Sequence, residues 1–137
     1  MRKTTFLLLM LLATASVSSC KKDKGPDVRD VFVATYSVLE TWTENSIVLT
    51  KPAFTMSVEK SSQQPDLLLL NNFANYGAGI TAEATVNGNK ITIPQQTLSN
   101  SRVISGTGTL TDPNMTFTYT ESINSVSIDI TATAKKK

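Results

Sequence analysis

The sequence predicts an all-β protein: an eight-stranded antiparallel up-and-down β-barrel, with a β-sandwich as the alternative. Three observations carry this. From about Asp30 onward apolar residues recur at every second position, which is the strand period. The periodic runs are short, evenly spaced and separated by turn residues, and they connect in sequence order as hairpins. That order favours a barrel, whose closure also removes the exposed edges of a Thr-rich meander. No stretch beyond the first 20 residues holds a helical period for more than two turns.

Residues 1–19 read as a secretory signal. Arg2 and Lys3 supply the positive start, Phe6 to Ala13 the apolar core, and small residues close the segment. Val17-Ser18-Ser19-Cys20 resembles the lipobox of bacterial lipoproteins, which implies cleavage before Cys20 and its acylation. Residues 20–29 then form the lipidated Cys and a flexible tether, polar and broken by Gly25-Pro26. The run Lys21-Lys22-Asp23-Lys24 is similar to the export signals of Bacteroidota lipoproteins, although a second adjacent acid is missing. Residues 30–137 form the barrel domain, and no stretch after the signal approaches the roughly 18 apolar residues of a membrane helix.

Eight strands are expected at 31–41, 54–60, 66–72, 80–86, 90–97, 102–110, 114–121 and 125–134. In the first, Phe32, Ala34, Tyr36 and Val38 share a face; in the second, Phe54, Met56 and Val58 do. The segment 43–53 is open between an extra short strand and a lid over one end. Leu67 to Leu70 is apolar on both faces, so it wants cover from outside, with 43–53 as the candidate. Ile80, Ala82, Ala84 and Val86 lead into Asn87-Gly88, a dipeptide suited to a type I′ hairpin because both central positions need positive φ. Ile91 and Ile93 return. Ile104, Gly106, Gly108 and Leu110 follow, then a turn at Asp112-Pro113-Asn114. Met115, Phe117 and Tyr119, and finally Val126, Ile128, Ile130 and Ala132, complete the pattern.

Three runs carry a further resemblance: Asn72-Phe73, Asn87-Gly88-Asn89-Lys90-Ile91-Thr92-Ile93-Pro94-Gln95-Gln96, and Ser105-Gly106-Thr107-Gly108-Thr109-Leu110. Together they resemble a family of small Bacteroidota lipoproteins with an expected lipocalin-like (calycin) barrel. The resemblance implies a fold and an outer-membrane location, on the periplasmic or the cell-surface face, and brings no catalytic signature. The Gly-x-Trp that marks true lipocalins is absent, Trp42 lying at the far end of the first strand.

Composition narrows the chemistry. Loss of Arg2 and Lys3 with the signal leaves 118 residues with 11 basic against 11 acidic side chains. Six of those cations, Lys21, Lys22, Lys24 and Lys135 to Lys137, sit at the two ends. The body is mildly acidic and offers no basic stripe, so no nucleic-acid partner is expected. The tail Lys135-Lys136-Lys137 reads as a solvated strand end, short of the four or more charges of a polybasic anchor. There is no His, and Cys20 is the single Cys. The commonest general base and metal ligand are therefore missing, and neither a metal nor another cofactor is expected.

An eight-stranded barrel is just wide enough to be filled by side chains or to hold one small ligand. Tyr36, Phe54, Phe117 and Tyr119 are the large inward residues; Ala34, Ala82, Ala84, Gly106, Gly108 and Ala132 are small. Either the large fill the space the small leave, or they wall a pocket. Tyr36, Trp42, Phe54, Phe117 and Tyr119 are thus the candidate ligand-binding residues. Each Tyr hydroxyl needs a partner, from a ligand, backbone or Gln95. Glu40 and Glu44 could form a glycosidase-like carboxylate pair, but both are expected to be solvated in a loop, and no catalytic residue is assigned. Asn71 and Asn72 suit a ligand contact or a turn.

These readings converge on a non-catalytic envelope lipoprotein, attached to the membrane through Cys20. It binds a small apolar or glycan-like ligand in or at the mouth of the barrel. The alternative is an accessory lipoprotein that binds another envelope protein through outer residues such as Leu39, Trp42, Leu68 and Leu70.

Overall fold

The computed structural model describes residues 25–137. The signal segment and Cys20, with its acylation, lie outside the described residues. Nine strands follow a short 3-10 turn at Asp30–Phe32: β1 (Ala34–Glu44), β2 (Ile47–Thr50), β3 (Phe54–Lys60), β4 (Leu67–Asn71), β5 (Thr81–Asn87), β6 (Lys90–Thr97), β7 (Val103–Thr111), β8 (Asn114–Ile123) and β9 (Val126–Lys136). Neighbours in sequence pair antiparallel from β3 to β9, and β1 pairs with both β3 and β9. The β1–β9 ladder, from Tyr36↔Lys136 to Trp42↔Ile130, closes eight strands into a barrel and removes the sandwich alternative.

The extra strand is β2, which resolves the 43–53 segment as a strand and not a lid. It pairs with the last residues of β1, Thr41↔Thr50 to Glu44↔Ile47, on the edge that β3 occupies lower down. The expected cover of β4 by this segment therefore fails. Leu67 is instead buried at the strand start, where the β3–β4 loop folds back: Ser61 N–H donates to Leu67 O and Leu67 N–H to Gln64 O. Leu68 and Leu70 point inward and are fully buried. They cannot be the outer partner-binding residues expected above. Their cross-strand partners Ala84 and Ala82 are inward too, which fixes this parity. Leu39 is exposed on the outer wall, as expected.

The interior is one continuous apolar cluster. Its packing pairs large with small across the ladder: Gly106 faces Tyr119, Gly108 faces Phe117, and Ala132 faces Phe117 from the other side. A Cβ on Gly106 would lie 2.3 Å from Thr118 O and 2.6 Å from Tyr119 Cβ; one on Gly108 would lie 2.8 Å from Phe117 Cβ. Real atoms do not approach so closely, so these glycines are required by the rings beside them. Phe73, carried inward by the turn after β4, completes the filling, its ring 4.9 Å from Tyr119 and 6.0 Å from Phe117. Asn72 and Gly77 take positive φ in that turn, and the Asn72 side chain bridges Thr55 O (2.7 Å) and Gly77 N (2.8 Å). Asn72 is thus a turn residue.

The two ends of the barrel differ. One end, called here the closed end, holds the first described residues, the β3–β4 loop, the Asn87-Gly88 and Asp112-Pro113 turns and the last residues of β9. Phe32 plugs it from below and is fully buried. Arg29 Nη1 donates to Ser61 O (3.0 Å), Gln64 O (2.8 Å) and Leu67 O (3.2 Å), while its other nitrogens grip Asp27. Those bonds, Arg29's side chain first and then its backbone N–H, hold the Asp27 carboxyl well below the usual carboxylate range. The opposite end, the rim, holds the β1–β2 and β8–β9 hairpins and the loops after β4 and β6.

Candidate functional site at the rim

Four of the five candidate ligand residues, Tyr36, Phe54, Phe117 and Tyr119, lie in the buried core. Tyr36 donates its hydroxyl to Phe32 O at 2.9 Å, and burial pushes its phenol up to about 12. Tyr119 donates to Glu40 Oε1 at 2.8 Å. Neither hydroxyl waits for a ligand, and no buried side-chain N or O among the described residues lacks a partner. Trp42 is the exception. It is half-buried near the rim end of β1, packed on the edge of the core with one side open.

Glu40 overturns its expectation. It is fully buried within β1, not solvated in a loop. The strand's inward parity carries it inside, and Ala132 opposite leaves it room. Lys51, arriving from the segment after β2, donates to Glu40 Oε2 at 2.9 Å, so both carboxylate oxygens are engaged. Glu44 is exposed at the end of the same strand. Four residues of extended chain separate the two by about 13 Å, beyond the spacings a glycosidase pair uses. The pair does not form.

A second buried carboxylate, Glu121, sits beside this one. Arg102 and the Tyr76 hydroxyl both donate to it, and Arg102 Nη1 also reaches the Tyr76 oxygen at 3.0 Å. Lys51 and Arg102 both lie against the Tyr76 ring, 5.7 and 4.6 Å from its centre. Burial first, then the Glu121 carboxylate, raises the Tyr76 phenol well above its ordinary value. Burial first, then the Glu40 charge, does the same to Tyr119. The network seals the rim over the aromatic core, and every charge in it is matched.

The open feature of the rim lies to one side of that seal. The β1–β9 ladder stops at Trp42↔Ile130, while β1 runs on to Glu44 and β9 begins at Val126. The two strands part, and a groove of about 820 Å³ opens between them. Its lining includes Trp42, Glu44, Asn45, Val48, Ile128 and Asp129, with the hydroxyls of Thr41, Thr43 and Thr131. It has no cation. Ile47, Val48, Val126 and Ile128 are exposed on and around the two hairpins that flank it.

No family model matches this chain, and no curated protein does. Among solved structures it is similar to a "putative outer membrane protein" from Bacteroides fragilis NCTC 9343, at 22% identity and a TM-score of 0.49. The match covers 81% of this chain and 53% of the other, so the chain spans about half the length of that protein.

Sequence reasoning placed Trp42 at a strand end but missed Lys51, Arg102 and Tyr76 as a unit. Their positions, in a linker and two loops, carry no periodic signal. The parity that put Glu40 inside was the one usable clue, since a buried carboxylate demands a cation and donors.

Proposed function

We propose that this protein is a non-catalytic envelope lipoprotein that binds a glycan-like ligand at its rim, in the groove between β1 and β9. The observation that carries this reading is the pairing of one half-exposed Trp42 with carboxylates, an amide and hydroxyls in an open groove of about 820 Å³. An indole face stacks on the C–H face of a sugar, while fixed carboxylates, hydroxyls and amides bond its hydroxyls. The filled interior and the satisfied Tyr36 and Tyr119 hydroxyls favour the rim over the barrel interior as the place of binding.

A second reading has its own support. Ile47, Val48, Val126 and Ile128 cluster, exposed, around the same hairpins, and such patches mark protein contacts. In that reading the rim meets another envelope protein.

Trp42 is the single tryptophan, so its fluorescence reports the groove directly. Titration with envelope oligosaccharides should shift that fluorescence, and Trp42→Ala should abolish binding seen by ligand-observed NMR. An unmoved spectrum and no NMR saturation transfer across the panel would sink the glycan reading. Cross-linking from Val48 and Val126 to a single envelope protein would then support the second.

A further inference from the structure

We propose that the closed end of the barrel seats on an anionic lipid surface, with the rim facing away from the membrane. The inference rests on the reading that Cys20 is acylated.

The first support is reach. Five residue steps of chain separate Cys20 from Gly25, and fully extended they span at most about 18 Å. Gly25 to Val33 lie at the closed end, where Lys136 Nζ donates to Val31 O (2.8 Å) and Lys60 pairs with Asp30. The nine residues of β7 cover about 30 Å along the strand. A tether shorter than the barrel holds the closed end toward the lipid and cannot bring the rim there instead.

The second support is an apolar face left uncovered among the described residues. Val28, Val31 and Val33 are 55%, 53% and 42% exposed, on the segment that crosses the closed end.

The third is charge. The fold gathers Lys60, Lys90, Lys135, Lys136 and Lys137 around that end, although only three are adjacent in sequence. Asp27, Asp30 and Asp112 are matched there by Arg29, Lys60 and Lys136. Among the described residues Lys90, Lys135 and Lys137 have no ion-pair partner; of the five acids without one, Glu59 and Asp66 lie toward this end, Glu44 and Asp129 at the rim, and Glu83 along the β5 wall. The rim has the opposite balance, with Glu40, Glu44, Glu121 and Asp129 against Lys51 and Arg102. Small apolar side chains ringed by lysines suit the headgroup layer of a bilayer containing anionic lipid.

The test uses the full acylated protein in vesicles of phosphatidylcholine with phosphatidylglycerol, some chains brominated to quench tryptophan. Native Trp42 reports the rim. Val31→Trp and, independently, Val28→Trp, each in a Trp42→Phe background, report the closed end, with circular dichroism confirming the fold. Several-fold stronger quenching at 31 and 28 than at 42 is expected, and it should weaken in pure phosphatidylcholine. Equal quenching at all three positions, or the strongest at Trp42, overturns the proposal. Undiminished quenching in pure phosphatidylcholine overturns its anionic part. Intact-mass analysis separates the anchor from the face. If Cys20 carries no acyl chain, the anchor reading fails, and sedimentation of the unacylated chain with anionic vesicles decides the face alone. Its absence from the pellet overturns the proposal.

Discussion

Tyr119 joins the interior to the rim. Its ring packs on Phe73 in the core while its hydroxyl holds Glu40, which in turn holds Lys51 at the surface. Phe117, one inward position along β8, has no polar task and lies in the same ring cluster. Phe117→Ala should therefore cost about 3–5 kcal/mol of stability, read as a lower urea midpoint at unchanged slope. At this scale the sequence was half legible. The period of two identified Tyr36, Phe54, Phe117 and Tyr119 as inward, but not what their hydroxyls or neighbours would meet. Phe73 sits in a non-periodic turn, so the ring that completes the filling was invisible. The partner of Tyr119 lies 79 positions away on another strand, where no local pattern can find it.

The elements were more readable than their edges. Six consecutive hairpin steps, β3 to β9, follow the alternation. The hairpin expected at Asn87-Gly88 forms, but its two-residue turn is Gly88-Asn89, closed by the Asn87–Lys90 pairing; only Gly88 takes positive φ, so the expected type I′ geometry with Asn87 at its centre is not the one adopted. The short apolar run at 47–49 could not be placed, because three residues do not distinguish a strand from a cover; its pairing with β1 is a tertiary outcome. Leu67 to Leu70 misled for a related reason. A run apolar on both faces conceals its own parity, and only the facing alanines of β5 reveal that Leu68 and Leu70 point inward. The two glycines of β7 test the ladder itself. Gly106→Ala would drive a methyl into the Thr118 carbonyl at 2.3 Å, which backbone must move to relieve. A loss of about 1–3 kcal/mol is expected, again measured by denaturation, and a neutral outcome would show that β7 and β8 are not paired in this register.

For the molecule as a whole, the three tyrosines set a limit in alkali. All are held neutral above their ordinary range: Tyr36 by burial, Tyr76 by burial and Glu121, Tyr119 by burial and Glu40. A phenol whose folded value is raised stabilises the fold fully below about pH 10, its unfolded value, and that stability is lost as pH rises through the folded value. Thermal stability should thus be level across neutral pH and fall above about pH 10. Tyrosinate absorbance should emerge with unfolding, in a single step. A native fraction of tyrosinate titrating near 10 with the fold intact would contradict the desolvation and hydrogen bonding that hold all three neutral.

The Arg29 clamp has a mechanical side. The chain enters the barrel through Asp27, Arg29 and the buried Phe32 before it becomes β1, and Arg29 is tied to three carbonyls of the loop across the closed end. A pull applied upstream of Gly25 loads that guanidinium first, and the β3–β4 loop shares the force. The β1–β9 seam, which would otherwise be peeled one bond at a time, lies behind this strain relief.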